Sequence, residues 1–422
     1  MSTLNRVGTA NLYDNTLRNL AMRQKNLTDL QESLTAGKRV VRASDDPVAA
    51  AQAERALTRI SRIQAEQRQL DVQRGAMALA ESTLGDAVGL VQEMRQLIIA
   101  AGSGTLKPED RRTYANQIAS LREQLSETIN RKDANGVPLL GALGSDLRAF
   151  AGPLLSGSAD YVFAGLPGQQ ASSGTSIATT VDGHGALMFD AVRDGVYAAG
   201  VARQATSSLG TSAITTANLQ TLDGASYTLK ITAVNTDAAT GATSVDYELT
   251  RTARDGTTTT STATSPTAAK GQPIAIEIQE GTPAAAVMKF DLTGTPVAGD
   301  TVTLSASPSL MSTIDRAVRE LTDAPDTGAA AQAVGQALAQ LDKGMERLHN
   351  MRSYAGELLN RADRIGSDQE NRAIQHEADR SRAEDLDMVK GISDFQNAHV
   401  GYQAALQSYA QVQRMSLLDF MR

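Results

Sequence analysis

The chain has 422 residues, no cysteine, no tryptophan, 4% aromatic residues and a net charge of −7. That length admits two or three cores, and the missing cysteines exclude disulfides, thiol nucleophiles and cysteine-type zinc sites. Lysine and arginine are spread along the chain with no basic face for a phosphate backbone, so nucleic acid is not an expected partner.

The first twenty residues hold no continuous apolar run of the kind a signal peptide needs, so export is expected to take another route. Ala10, Tyr13, Leu17, Leu20, Gln24, Leu27, Gln31 and Leu34 then recur at steps of three and four, which predicts a helix with one narrow apolar seam. Gly37 closes that helix, and Ser44-Asp45-Asp46-Pro47 opens the next with a carboxylate cap and proline at its first position. A second helix is predicted from about Pro47 to Ala101, roughly 75 to 80 Å long, with Ile60, Ile63, Leu70, Met77, Leu84, Val88, Val91 and Ile98 on one face. Gly102-Ser103-Gly104 turns the chain, and a third helix starts at Pro108 with Tyr114, Ile118, Leu121, Leu125 and Ile129 on its seam.

Between about Gly165 and Pro308 the pattern becomes short alternating runs, such as Tyr227–Thr232 and Ile274–Ile278, separated by glycine turns, which predicts an antiparallel β domain. Thr257–Thr262 reads as an exposed hairpin tip or loose loop. Helical spacing resumes after Pro308 with Val334, Leu338, Leu341, Met345, Leu348, Leu359 and Ala362, and a last helix carries Ile392, Phe395, Tyr402, Leu406 and Tyr409. The fold class is α+β: a long discontinuous helical coiled-coil rod built from both chain ends, with an inserted antiparallel β-rich domain. Terminal helices 1–42 and 385–422, a rod of 43–165 and 309–384, and a β insert of 166–308 are the expected divisions. Amphipathic helices with so little around them are marginal alone and call for partners.

No residue pattern argues for catalysis, a cofactor or a metal. His184, His349, His376 and His399 lack ligand spacing, and His399 falls on the seam of the last helix. Asp45 and Asp46 are explained by the helix cap. Gly165, Gly168 and Gly174 lack the strand and helix order of a nucleotide cradle, and Glu384-Asp385-Leu386-Asp387 reads as the solvated start of the last helix.

Leu30-Gln31-Glu32-Ser33-Leu34-Thr35-Ala36-Gly37-Lys38-Arg39-Val40 followed by Ala43-Ser44-Asp45-Asp46-Pro47-Val48-Ala49-Ala50-Ala51 closely resembles the amino-terminal signature of the flagellin superfamily. Proline after the paired aspartates, then valine and alanines, is similar to the hook-associated branch of that superfamily rather than to the filament subunit. Asn130–Gly136 and Tyr161–Gly165 resemble the family's turn and exit from its rod. Gly294–Thr301 resembles a segment shared by hook-associated proteins, and Gln403–Tyr409 with Ser416–Phe420 is similar to the carboxyl-terminal helix.

The resemblance implies an extracellular structural subunit of the bacterial flagellum, lying between hook-associated protein 1 and the flagellin filament. It implies export through the flagellar type III apparatus with an export chaperone, and self-assembly into a ring of like subunits. It also implies terminal segments that are largely disordered in the monomer and pair on assembly. The residues that would carry assembly are Leu17, Leu20, Leu27, Leu34, Ile392, Phe395, Tyr402, Leu406 and Tyr409. Filament flagellin or hook-associated protein 1 is the nearest alternative. An extracellular enzyme on a flagellin-like scaffold would need a cluster of His, Asp or Glu in the insert, and a cytoplasmic coiled-coil scaffold is the third reading.

Overall fold

The computed structural model describes residues 9–153, 161–280 and 285–420, and the side chains of 9–13, 221 and 412–420 are outside that description. Ala10 and Tyr13 of the expected seam and Ser416–Phe420 at the end therefore have no described side chains. The chain forms two compact units, Met1–Gln69 with Arg364–Arg422, and Leu70–Asp363. Two long helices, α2 (Pro47–Ala101) and α7 (Thr327–Glu384), run through both.

The first unit contains α1 (Thr9–Ala36), the start of α2, the end of α7 and α8 (Met388–Phe420). Gly37 ends α1 in the left-handed region at φ 68°, where glycine has no Cβ to clash. Asp46 Oδ1 accepts from Ala49 N at 3.0 Å and Pro47 takes the first helical position, so the expected carboxylate cap opens α2. Glu384–Asp387 departs from its expectation. Glu384 ends α7, Asp385 forms an isolated bridge with Lys38, Leu386 N donates to Gly37 O, and Asp387 alone caps α8 through the N–H groups of Val389 and Lys390.

In the second unit the seam of α2 is buried where its period predicts, with Met77, Leu84, Val91 and Ile98 fully enclosed. Leu341, Leu348 and Ala362 of α7 are buried with them. Ion pairs Arg95–Asp342 at 2.8 Å, Arg352–Glu81 at 2.6 Å and Arg74–Asp363 at 3.0 Å tie α2 to α7 in antiparallel order. Helix α3 (Pro108–Ile129) packs on α6 (Leu310–Asp323), and Arg122 and Tyr161 both hold Asp315, at 2.9 and 2.8 Å.

A short ribbon of β1 (Phe150–Ala151) and β2 (Val162–Phe163) and two short helices, α4 (Gly183–Leu187) and α5 (Ala191–Asp194), precede the sheets. The segment before α4 lies against α2 and the stretch that follows α3: Ile177 N donates to Gln73 Oε1 at 3.0 Å and Val181 N to Leu139 O at 2.9 Å. The strands follow from Tyr197: β3 (Tyr197–Ala202), β4 (Gly210–Thr211), β5 (Thr215–Thr216), β6 (Ser226–Thr236), β7 (Thr243–Thr252), β8 (Thr258–Thr264), β9 (Ile274–Glu280), β10 (Ala285–Thr293) and β11 (Thr301–Ala306). One antiparallel sheet has the order β3-β11-β6-β7-β8, and in the other β10 pairs with β9, β4 and β5. Tyr227, Leu229 and Val245 share one core with Ile276, Ile278 and Phe290. Strands β6 and β9 alternate buried and exposed residues as the sequence predicts.

The threonine run is a correction. Thr258–Thr264 is not a tip or loose loop but an edge strand, in register from Thr252↔Thr258 to Asp246↔Thr264, with every residue exposed. An all-polar run hides the period of two, yet β-branched threonine suits an exposed pleated strand, and Thr250 Oγ1 meets Thr260 Oγ1 at 3.4 Å across the pair.

Candidate assembly surface

Helices α1 and α8 pack against each other. A Cβ on Gly391 would lie 3.2 Å from Leu34 Cδ2, and one on Gly401 would lie 2.8 Å from Arg23 Nη1, so small residues on α8 let α1 approach. The two contacts run in opposite chain directions and make the pair antiparallel. Leu20, Leu27, Leu34, Phe395, Tyr402 and Tyr409 are half-buried, while Leu17, Ile392 and Leu406 remain 38%, 45% and 40% exposed. The structure thus brings the two expected seams into one element but does not seal them. Two helices alone cannot enclose an apolar stripe.

His399 is exposed rather than enclosed in the seam. Its ring stacks on Phe395 with centroids 6.2 Å apart and it contacts Gln403. Met22, Met388, Val389 and Val400 are exposed apolar residues that the seam reading missed. Met388 continues the three-four rhythm one step before Ile392, whereas Met22, Val389 and Val400 lie off it and only their apolar character signalled them.

A clip between the chain ends borders this pair, and sequence reasoning missed it too. Gly37 O accepts from Leu386 N at 3.0 Å, Arg39 N donates to Glu384 O at 2.8 Å, and Lys38 pairs with Glu384. The Arg39 guanidinium reaches both Ala383 O at 2.9 Å and Asp46 at 3.1 Å. The Ala49 N–H, followed by Arg39, holds the Asp46 carboxyl below the usual carboxylate range. Arg42 pairs with Glu32 at 2.7 Å across Gly37 within the amino-terminal segment. Beside the clip lies a shallow groove of about 390 Å³ lined by Val40, Val41, Pro47, Ala50, Ala53 and Leu57 among others.

Among the described residues no group of three His, Cys, Asp or Glu side chains is placed to hold a metal, and no helix is long and apolar enough to cross a membrane.

Residues 7–143 match the family model of the bacterial flagellin N-terminal helical region. The amino-terminal region is similar to the flagellin helical region. Over 135 residues it is 33% identical to flagellar hook-associated protein 3 of Salmonella typhimurium, covering 31% of this chain and 41% of that protein. It is 26% identical over 121 residues to flagellin of Listeria monocytogenes, covering 29% of this chain and 42% of that one. The match thus spans about two fifths of the length of these relatives. Flagellar hook associated protein-3 from Legionella pneumophila shares the fold at a TM-score of 0.58 and 22% identity, over 77% of this chain and 97% of that chain. The likeness to flagellin proteins in sequence therefore lies in the amino-terminal region, and the likeness in fold extends over 77% of this chain.

Proposed function

We propose that this chain is a structural subunit of the bacterial flagellum that joins the hook, through hook-associated protein 1, to the flagellin filament. The observation that carries the reading is the α1–α8 pair, whose apolar residues Leu17, Ile392 and Leu406 stay exposed in a single copy and would be covered by copies in a ring. Likeness to hook-associated protein 3 in sequence and fold supports the junction over the filament subunit. The Asp46-Pro47 form of the α2 cap supports it as well. In this reading residues 1–42 and 385–422 are the assembly part, 43–165 and 309–384 the rod, and 166–308 an outward decoration. The chain leaves the cell through the flagellar export apparatus, accompanied beforehand by a chaperone, and acts outside the cell without catalysis.

Electron micrographs of a deletion strain test the proposal. Intact hooks without filaments, with flagellin lost to the medium, are expected. Normal filaments on the deletion strain would overturn it.

A further inference from the structure

Strand β8 is the outer strand of the five-stranded sheet, and among the described residues no strand pairs with its free side. All seven of its residues are exposed. Natural edge strands are guarded by charge, proline or a bulge, yet β8 has none of these in a chain that is 21% charged.

The pairing with β7 fixes which backbone groups are free. Ala253 N donates to Thr257 O and Ser265 N donates to Val245 O, so the odd-numbered residues turn their polar groups toward β7. By the antiparallel alternation, Thr258, Thr260, Thr262 and Thr264 direct their N–H and C=O groups outward. All four are threonine, so this outward set reads the same in both chain directions about Ser261.

We propose that two copies of the unassembled chain pair their β8 strands antiparallel, with a twofold axis at Ser261. Thr260 then exchanges hydrogen bonds with Thr262 of the second copy and Thr258 with Thr264, every pair being threonine on threonine with no like charges opposed. Such a contact is smaller than a permanent interface, so pairing depends on concentration. It is isologous, whereas neighbours in a ring meet through unlike surfaces, so it stands or falls apart from the terminal helices.

The absence of cysteine makes the test direct. On the axis Ser261 faces its own copy as a non-hydrogen-bonded pair with Cα atoms about 4.5 Å apart, within disulfide reach. Under a mild added oxidant, Ser261→Cys is expected to form covalent dimer at least about tenfold faster than Thr264→Cys or Thr240→Cys. In the unaltered chain, amide exchange at the four outward threonines should slow with rising protein concentration while exchange at Ser261 does not change. Equal cross-linking of the three variants, or exchange at the outward threonines independent of concentration, would overturn the pairing.

Discussion

Two residues in the second unit show how the same enclosure acts with opposite sign. Leu84 is fully enclosed on α2, so Leu84→Ala should remove about 2–5 kcal/mol of stability, read from denaturant midpoints. Glu320 on α6 is held above the usual carboxylate range by burial, against the pull of Arg316 and Arg319. A carboxyl raised in the folded state supports folding below its unfolded value and withdraws that support as pH rises through the folded value. Glu320→Gln is therefore expected to raise the thermal midpoint by about 1–3 °C at pH 7 and to match the parent below about pH 4. A lower midpoint at pH 7 would assign Glu320 a net stabilising pair. At this scale the sequence was legible for Leu84, because the seam period marks it, and silent for Glu320. A charge on a helix face reads as solvated until the fold covers it.

The helices are the most legible elements, since dozens of residues repeat one period and the caps at Gly37, Asp46 and Pro47 bound them. The clip at Gly37–Arg39 and Ala383–Leu386 was not legible, because it is made by backbone groups far apart in sequence. Strand β8 was missed because its signal is spread over one residue type. Leu406 tests what the α1–α8 pair is for. At 40% exposure, aspartate there keeps its charge in water, so Leu406→Asp should leave the monomer's thermal midpoint nearly unchanged. On assembly the same charge would be buried, and cells should export the variant, fail to retain it on hooks and shed flagellin. Leu34, packed against Gly391, is the contrast: Leu34→Asp should loosen the pair in the monomer, seen as lost helical signal. Normal junctions from Leu406→Asp would remove this face of α8 from the assembly contact.

For the whole molecule, the question is whether the β strands belong to the proposed junction contact or are carried by the helices. The chain enters and leaves them at one place: Phe189 N donates to Pro308 O at 3.0 Å, and Met188 bridges Ser309. Excising Asp190–Ser307 and closing the gap with about four glycine and serine residues spans ends that are already neighbours. The helices lose polar contacts to the excised residues. Gln336 loses Ala199 N and Thr211 Oγ1, Gln340 loses Tyr197 O, Arg347 loses Asp194, Asp326 loses Arg203 and Thr313 loses Ser307 Oγ, all of which water can replace once the face is open. The pairing of α3 with α6 and the α2–α7 ion pairs involve none of the excised residues. The shortened chain is therefore expected to keep its helical circular dichroism, melt cooperatively, and restore filaments to the deletion strain. Should it be exported and folded yet leave hooks bare, the strands themselves would belong to the junction contact, and the division between assembling ends and a carried insert would fail.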